Sequence, residues 1–387
     1  MRMDLLGKRA ILGSAPVRVT EIIVDRVVLP DTVSIASRIA CSEGRIVAID
    51  HASGDASARR LHGTLLPGFV DLQVNGGFGR NVAEASPEAL DTVAAAVLAG
   101  GAVAFLPTLI TAPWDRLLQQ IAAVATWIER WQGHGAKPLG LHLEGPFLEN
   151  PGVHEPEHFL DPTKQRVRAM LDAARGTLRL MTLASSRVGA TAAVLQLRKA
   201  NCAVAIGHVV DTAGFTDCVA AGATMATHLF NAMGPMHHRE PGIGGLALDD
   251  KRLLASLIVD GTHVHPAMVR NAFAILGPAR TVLVSDAVAA AGMPDSEFLL
   301  GGKPVQSRKG VVRDAQGRLA GSALTMATAA KNFLSYVPTV GHWTLAQVAA
   351  ANAARLIHAS DFGAIAVGNA AAFTLLDDDG TVTTIHG

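Results

Sequence analysis

A short apolar run ends on a glutamate and a turn in the segment Leu141-His142-Leu143-Glu144-Gly145-Pro146. Three further runs end on side chains of similar chemistry, in Ala205-Ile206-Gly207-His208, Thr227-His228 and Ser285-Asp286. Side chains so far apart in the chain come together if the runs are parallel strands closed into a barrel, because the carboxyl ends of all strands then open on one face. The four segments therefore favour a barrel that gathers its functional groups at one mouth.

Eight short apolar runs bounded by turn residues are predicted to be the strands of this barrel. They occupy 68–73, 103–108, 139–144, 178–184, 203–208, 225–228, 256–260 and 281–286. Segments with helical periodicity lie between most of them, at 87–98, 114–131, 163–175, 191–200 and 266–276. Eight strands with intervening helices are what an α/β protein with a (β/α)8 TIM-like barrel requires.

Both ends of the chain are rich in β-forming residues. The N-terminal pieces are 17–19, 21–28, 34–40 and 45–49, and the C-terminal pieces are 371–376 and 381–385. We expect the two ends to form a small β-sandwich, which divides the chain into residues 1–65 (sandwich), 66–358 (barrel) and 359–387 (sandwich). The long connection 229–253 is predicted to be a lid or substrate-binding element, and 297–319 to form hairpins over the barrel mouth.

Composition excludes several classes of function. Lys plus Arg and Asp plus Glu both total 33, so no field of one sign attracts nucleic acid or an anionic membrane. An aromatic fraction of 4% argues against base-stacking platforms. A small-molecule substrate is therefore expected.

The cysteines and the N-terminal residues indicate where the protein is located. Three cysteines without CxxC spacing are expected to be reduced, as in a cytoplasmic protein. Residues 1–16 show no pattern of a secretory signal. The uncharged stretch 92–114 is interrupted by Gly100-Gly101 and Pro107, which predicts a helix followed by a buried strand rather than a membrane span.

The strand-end side chains form a candidate metal site. Glu144, His208 and His228 make a His2Glu set that leaves positions open for water and substrate. A divalent ion there acidifies water and polarises a carbonyl. Asp286 is the candidate general base, which would take a proton from the water and return it to the departing amine. We expect zinc, with iron, cobalt or manganese as alternatives.

The first predicted strand favours one metal ion over two. Gln73-Val74-Asn75 puts two amides where a His-x-His pair would bind a second ion, and amides are poor ligands for zinc-like ions. The fourth strand, ending Leu183-Ala184-Ser185, offers no lysine that could be carboxylated to bridge two metals.

A series of motifs between Thr64 and Asn352 resembles the N-acetylglucosamine-6-phosphate deacetylases of the amidohydrolase superfamily, in family order. The motifs are Pro67-Gly68-Phe69-Val70-Asp71, His142-Leu143-Glu144-Gly145-Pro146-Phe147, Gly207-His208, Thr227-His228-Leu229-Phe230-Asn231-Ala232-Met233, Arg239-Glu240-Pro241-Gly242, Asp260-Gly261-Thr262-His263, Ser285-Asp286-Ala287 and Leu319-Ala320-Gly321-Ser322-Ala323-Leu324-Thr325-Met326.

This resemblance implies hydrolysis of N-acetyl-D-glucosamine 6-phosphate to D-glucosamine 6-phosphate and acetate, in amino-sugar catabolism. It implies that Glu144, His208 and His228 are the metal ligands and that Asp286 is the catalytic acid and base. It further implies that His154 helps to polarise the acetyl carbonyl. The segment 145–153 departs from the family pattern, because it is shorter and lacks the usual lysines.

The resemblance also implies the contacts with the substrate. Gln73 would lie beside the metal, and Asn231 and Ala232 would meet the sugar phosphate largely through their main chain. Arg239 would bind the same phosphate, for which its planar guanidinium is suited. His263 would reach the phosphate from the neighbouring subunit of a homodimer.

Other functions remain open at this point. One alternative is a deacetylase of N-acetylgalactosamine 6-phosphate. That substrate differs from the glucosamine compound at one sugar hydroxyl, and no motif in the sequence distinguishes the two. A cyclic-amide hydrolase of the same superfamily is disfavoured by the Gln73 and Asn75 pair. From other classes, a phosphosugar isomerase could use Asp286 and Glu144 without metal, and a non-catalytic sugar-phosphate sensor would bind without releasing acetate.

Overall fold

The computed structural model describes residues 19–51 and 58–386. The predicted β piece at 17–19, apart from Val19, and the segment 1–16 lie outside these residues. In chain order the described strands are β1 (Val19–Val28), β2 (Val33–Ser42), β3 (Arg45–His51), β4 (Arg59–Pro67), β5 (Phe69–Val74), β6 (Gly76–Gly77), β7 (Arg80–Asn81), β8 (Ala102–Ile110), β9 (Lys137–Pro138), β10 (Leu141–Glu144), β11 (Leu178–Leu183), β12 (Ala203–Ile206), β13 (Met225–Ala226), β14 (Leu254–Leu257), β15 (Thr281–Leu283), β16 (Glu297–Leu300), β17 (Lys303–Arg308), β18 (Val311–Asp314), β19 (Ala372–Leu376) and β20 (Val382–His386).

The helices of the same part of the chain alternate with the central strands. They are α1 (Pro87–Ala99), α2 (Trp114–Glu129), α3 (Lys164–Ala174), α4 (Ala190–Lys199), α5 (Phe215–Ala220), α6 (Gly242–Asp249), α7 (Pro266–Arg280), α8 (Met326–Tyr336), α9 (His342–Ala346) and α10 (Asn352–Leu356). Short 3-10 turns lie at Val82–Glu84 and Pro156–His158, and a π turn, Gln347–Ala351, joins α9 to α10.

Eight parallel strands form the barrel, in the order β5-β8-β10-β11-β12-β13-β14-β15. The ring closes beyond β15, where the N–H groups of Asn75 and Gly76 donate to the carbonyl oxygen of Ala287 at 2.7 and 3.0 Å. Every residue of β5 and β8 is buried, as expected for parallel strands with a filled interior and covering helices. The prediction of a (β/α)8 barrel is confirmed.

Local sequence signals fix where the outer helices begin. Ser86 caps α1 by accepting a hydrogen bond from the N–H of Ala89, and Pro87 occupies the first helical position. Thr163 caps α3 in the same way. The uncharged stretch 92–114 is the end of α1 followed by the buried β8, as predicted. Within residues 19–51 and 58–386, no helix combines the length and the apolar character needed to cross a membrane.

A second, six-stranded sheet takes strands from both ends of the chain, in the order β20-β19-β4-β1-β2-β3. Its core contains Ile39, Leu65 and Phe373, each fully buried. The chain passes from β4 of this sheet to β5 of the barrel through Gly68, where an added Cβ would lie 2.2 Å from Val103 Cγ2. Only glycine allows the two sheets to approach so closely.

The predicted hairpins over the barrel mouth are present as the three-stranded antiparallel sheet β16-β17-β18. The turn between β16 and β17 uses Gly301 and Gly302, both with positive φ. Leu300 and Val305 of this sheet pack against Ile110, the last residue of β8. The small sheet therefore lies against the end of the barrel at which the strand-end side chains meet.

Candidate active site

Three of the predicted ligands meet at the carboxyl ends of the strands. Glu144 Oε1 lies 2.9 Å from His228 Nε2 and 3.2 Å from His208 Nε2, and the two imidazole nitrogens are 3.2 Å apart. Donor atoms that are each about 2.0–2.1 Å from one tetrahedral ion lie about 3.3 Å from one another. The triangle therefore has the dimensions of three ligands of a single cation.

The hydrogen bonding of His208 leaves a place for such a cation. Its Nδ1 donates to the carbonyl oxygen of Asn150 at 2.8 Å, so Nε2 presents a lone pair. Burial lowers the pKa of His208 to about 4, which leaves the ring neutral near pH 7. The lone pair therefore faces the carboxylate oxygen of Glu144, another acceptor. A positive charge between the two is what the pair lacks, and a divalent metal ion fits.

The surroundings of Glu144 keep its carboxyl ionised. Burial alone raises the pKa of its carboxyl, but the neighbouring imidazoles of His154, His208 and His228 outweigh burial and hold the pKa well below the ordinary value. The side chain is only 4% exposed. A buried carboxylate is costly unless it is paired, so this negative charge favours a bound cation.

The backbone at three of these positions is unusual. His208, His228 and Asp286 have φ values of 51°, 30° and 51°, in the left-handed region that non-glycine residues rarely adopt. Such conformations persist only where the surroundings impose them, and they concentrate at functional sites. For His228 the backbone N–H is fixed by Ser256 Oγ at 2.7 Å. The fold therefore holds these residues against their local preference.

Asp286 lies beside the triangle in a network of side-chain amides. Gln73 Nε2 donates to Asp286 Oδ1 at 3.0 Å and to Glu144 Oε1 at 2.9 Å, and Asn75 Nδ2 donates to Asp286 Oδ1 at 2.8 Å. Burial, together with the negative charge of Glu144, raises the pKa of Asp286 to about 7. A carboxyl that titrates near neutral pH can both take up and release a proton during a reaction.

His154 lies at the edge of the same cluster. Its Nε2 is 3.8 Å from Glu144 Oε2, and its ring centroid is 4.5 Å from that of His208. The hydroxyl of Thr111 is 2.8 Å from His154 Nδ1 and fixes the orientation of the ring. Glu144, His154 and His208 each also offer one metal-capable atom, and these three atoms lie within 4.8 Å of one another. The longer distance to Glu144 places His154 outside the compact triangle, where it can face a substrate.

The residues expected to bind the substrate are only partly brought together. Asn231, Ala232 and His263 line the pocket that also exposes Glu144 and Asp286. Arg239 does not line it; this exposed side chain lies on the connection between β13 and α6, with Nη1 3.1 Å from His238 Nε2.

His263 requires a correction. Its Nδ1 lies 2.6 Å from Asp260 Oδ2 and its backbone N–H donates to Asp260 Oδ1 at 2.7 Å. The side chain is only 6% exposed and lines the pocket of its own chain. Because this double attachment holds the imidazole inside its own subunit, the expectation that His263 reaches a neighbouring subunit's pocket is wrong.

Two further side chains support the site, and the sequence predicted the role of one of them. His142 is a fully buried, hydrogen-bonded interior group, with Nε2 2.9 Å from Thr182 Oγ1, as expected. Thr111, which orients His154, was missed. Its signal is the one that identified the others, since Thr111 directly follows the end of the second barrel strand.

Comparison with known proteins shows the family of this chain. Residues 64–385 match the amidohydrolase family. The chain belongs to the amidohydrolase family.

Two of the similar proteins are deacetylases of amino-sugar phosphates. The chain is 37% identical over 296 residues to the N-acetylgalactosamine-6-phosphate deacetylase of Escherichia coli O157:H7, covering 76% of this chain and 78% of that protein. It is 32% identical over 323 residues to the N-acetylglucosamine-6-phosphate deacetylase of Bacillus subtilis (strain 168), covering 81% of each.

A solved structure gives the same result. A mutant of the N-acetyl-D-glucosamine-6-phosphate deacetylase from Mycobacterium smegmatis, in complex with N-acetyl-D-glucosamine-6-phosphate, superimposes with a TM-score of 0.89 at 32% identity. The match covers 95% of this chain and 97% of that one. The resemblance identified from the motifs is confirmed.

Proposed function

We propose that this protein is a metal-dependent deacetylase that hydrolyses N-acetyl-D-glucosamine 6-phosphate to D-glucosamine 6-phosphate and acetate, in amino-sugar catabolism. The observation that carries the proposal is the triangle of Glu144, His208 and His228 with the carboxyl of Asp286 beside it. The similarity to the deacetylases of Bacillus subtilis and Mycobacterium smegmatis supports the choice of substrate.

Glu144, His208 and His228 would hold one divalent ion, which we propose to be zinc. Such an ion supplies a Lewis acid that acidifies water and polarises an amide carbonyl. The side-chain amides of Gln73 and Asn75 point their N–H groups at Asp286, and that of Gln73 also at Glu144. Donors in that position oppose a second cation, which supports a site for one ion.

Proton transfer is assigned to Asp286. Its carboxylate accepts a proton from the attacking water and donates it to the amine as the C–N bond breaks, so the side chain ends the cycle in its starting state. His154, oriented by Thr111, donates a hydrogen bond to the acetyl carbonyl. Gln73 fixes the position of the Glu144 carboxyl relative to that of Asp286 through its two hydrogen bonds.

The sugar phosphate would bind at the other side of the pocket. Asn231 has its side-chain Nδ2 engaged by the carbonyl oxygens of His228 and Leu229. The backbone N–H of Asn231 also donates to the carbonyl oxygen of His228, at 2.9 Å. We therefore assign the phosphate contact to the main chain of Ala232, which has φ 50°, with Asn231 lining the pocket beside it. His263 contacts the substrate from within its own chain. Arg239 reaches the phosphate if its loop closes or if a second subunit brings it to the pocket.

We also propose a homodimer, a cytoplasmic location and the domain division 1–65, 66–358 and 359–387. A dimer would let the exposed Arg239 of one subunit reach the pocket of the other. Free and buried Cys41, Cys202 and Cys218 fit a reducing compartment. The sheet formed from both chain ends supports the division. Light scattering measures the oligomeric state, and a monomer would rule out the dimer.

An acetate-release assay tests the proposed reaction. Release from N-acetyl-D-glucosamine 6-phosphate, with much weaker release from unphosphorylated N-acetyl-D-glucosamine, is the expected result. Equal release from both sugars would contradict the assignment of a phosphate site. Binding of the sugar phosphate without any release would instead support a sensor.

The galactosamine epimer is a second candidate substrate. It is favoured by the 37% identity to the Escherichia coli N-acetylgalactosamine-6-phosphate deacetylase, which is higher than the 32% identity to the Bacillus subtilis enzyme. The ratio of kcat/KM for the two N-acetylhexosamine 6-phosphates decides between them. A ratio in favour of the galactosamine compound would replace the first proposal with the second.

A further inference from the structure

Glu149 joins three strand-end loops around His208. Its Oε2 accepts hydrogen bonds from Ser186 Oγ at 2.8 Å and from the backbone N–H groups of Val210 and Asp211 at 3.2 and 3.3 Å. These donors belong to the loops after β11 and β12, whereas Glu149 belongs to the loop after β10. One half-buried carboxylate therefore ties the ends of three neighbouring barrel strands together.

The main chain at Glu149 holds His208 directly. The N–H groups of Glu149 and Asn150 both donate to the carbonyl oxygen of His208, at 3.0 and 2.8 Å. The carbonyl oxygen of Asn150 accepts from His208 Nδ1 at 2.8 Å. The backbone conformation of His208, with φ 51°, and the direction of its ring thus both depend on where residues 149 and 150 lie.

We propose that Glu149 is a positioning residue for metal binding. By fixing the three loops, its carboxylate keeps residues 149 and 150 against His208, and His208 then presents Nε2 towards Glu144. Glu149 does not itself belong to the triangle of ligands. The inference rests on the proposed metal site and adds to it a residue that acts through another. Groups that orient a metal ligand contribute strongly to metal affinity.

The hydrogen bonds of Glu149 Oε2 to Ser186, Val210 and Asp211 form a clamp between three loops. Glu149 lies in the connection between β10 and α3. An ionised carboxylate suits the position because it only accepts hydrogen bonds and can take several donors at one oxygen. All three donors converge on Oε2, so the oxygen of a glutamine could replace it in part.

Zinc affinity tests the proposal. The metal-free protein and its variants compete for zinc ions with a chromophoric chelator, and kcat and KM are measured separately at saturating zinc. Glu149→Ala is expected to weaken zinc binding by about 10–100-fold, with turnover recovering as zinc approaches saturation. Glu149→Gln is expected to lose less, since its amide oxygen still accepts from the same donors. Glu157→Ala is the matched control, because that carboxylate is 74% exposed, and its zinc affinity is expected to equal that of the wild type.

The possible outcomes distinguish a failure of the role proposed for Glu149 from a failure of the proposed metal site. Unchanged zinc affinity in Glu149→Ala, with an equal fall in the melting temperature of the metal-free and zinc-loaded forms, would show a merely structural role and overturn the proposal. If Glu149→Ala does not fold, Ser186→Ala, which removes one of the three donors, must still weaken zinc binding measurably. A wild-type protein that binds no zinc would overturn the metal site and the clamp together, whereas wild-type binding with an unaffected Glu149→Ala overturns the clamp alone.

Discussion

Replacing Gln73 by leucine should move the pH dependence of the reaction. Gln73 Nε2 donates to both Asp286 Oδ1 and Glu144 Oε1, so it stabilises the ionised forms of both buried carboxyl groups. Leucine keeps the approximate size of the side chain and removes both hydrogen bonds. A hydrogen bond to a charged group contributes about 1.5–3 kcal/mol, and one pKa unit corresponds to about 1.4 kcal/mol. The pKa of Asp286, already raised to about 7, should rise by about 1–2 further units.

The sign of the effect follows from the role of Asp286. A general base acts when it is deprotonated, so a higher pKa lowers the fraction of active enzyme at neutral pH. We expect kcat/KM for acetate release to fall about 5–50-fold at pH 7 and to recover most of the loss at alkaline pH. The acidic limb of the pH profile should therefore move towards higher pH.

Gln196→Leu is the control for this experiment. Gln196 lies on α4, away from the pocket, and its amide donates to the carbonyl oxygen of Lys164 at 3.3 Å. Its pH profile should match that of the wild type. A Gln73→Leu enzyme whose kcat/KM is reduced equally at every pH would refute the reasoning, because Gln73 would then act on the substrate or the metal rather than on the protonation of Asp286.

Three further changes test other parts of the structure. Asp286→Asn should lower kcat by about 10²–10⁴-fold with unchanged metal content. Replacement of the exposed Asp115 by asparagine is the control and should change neither kcat nor metal content. Loss of metal from Asp286→Asn would instead make Asp286 a structural group. Thr111→Val should lower kcat with little effect on metal content, because it frees His154 Nδ1, and equal loss of metal would contradict this. Gly68→Ala should destabilise the protein by about 1–3 kcal/mol in urea unfolding, and an unchanged midpoint would refute the close contact.

The barrel and the triangle of Glu144, His208 and His228 could be predicted, because both follow from the regular alternation of apolar strands and helices along the chain. Buried parallel strands leave short apolar runs, and the residue that ends each run must lie on the common open face. Glu144, His208 and His228 end three such runs, and the structure brings them within 3.2 Å of one another. Strand β5 likewise places Gln73 beside this cluster.

The loops could not be predicted in the same way. Their conformations depend on left-handed residues, such as Ala232, and on distant hydrogen bonds that leave no periodic pattern. His263 lies in its own pocket because Asp260 holds it there, which its motif did not reveal. Arg239 lies outside the pocket, on the exposed connection between β13 and α6. Glu149 acts through residues from two other loops, so only the folded chain shows its role.

The most direct test of the account measures metal content and acetate release on the same preparation. We expect one divalent ion per subunit, loss of N-acetyl-D-glucosamine 6-phosphate hydrolysis on exhaustive chelation, and recovery when zinc is returned. Substitution of His208 or His228 by alanine should abolish both the bound ion and the activity. Full acetate release from protein shown by elemental analysis to be metal-free would contradict it.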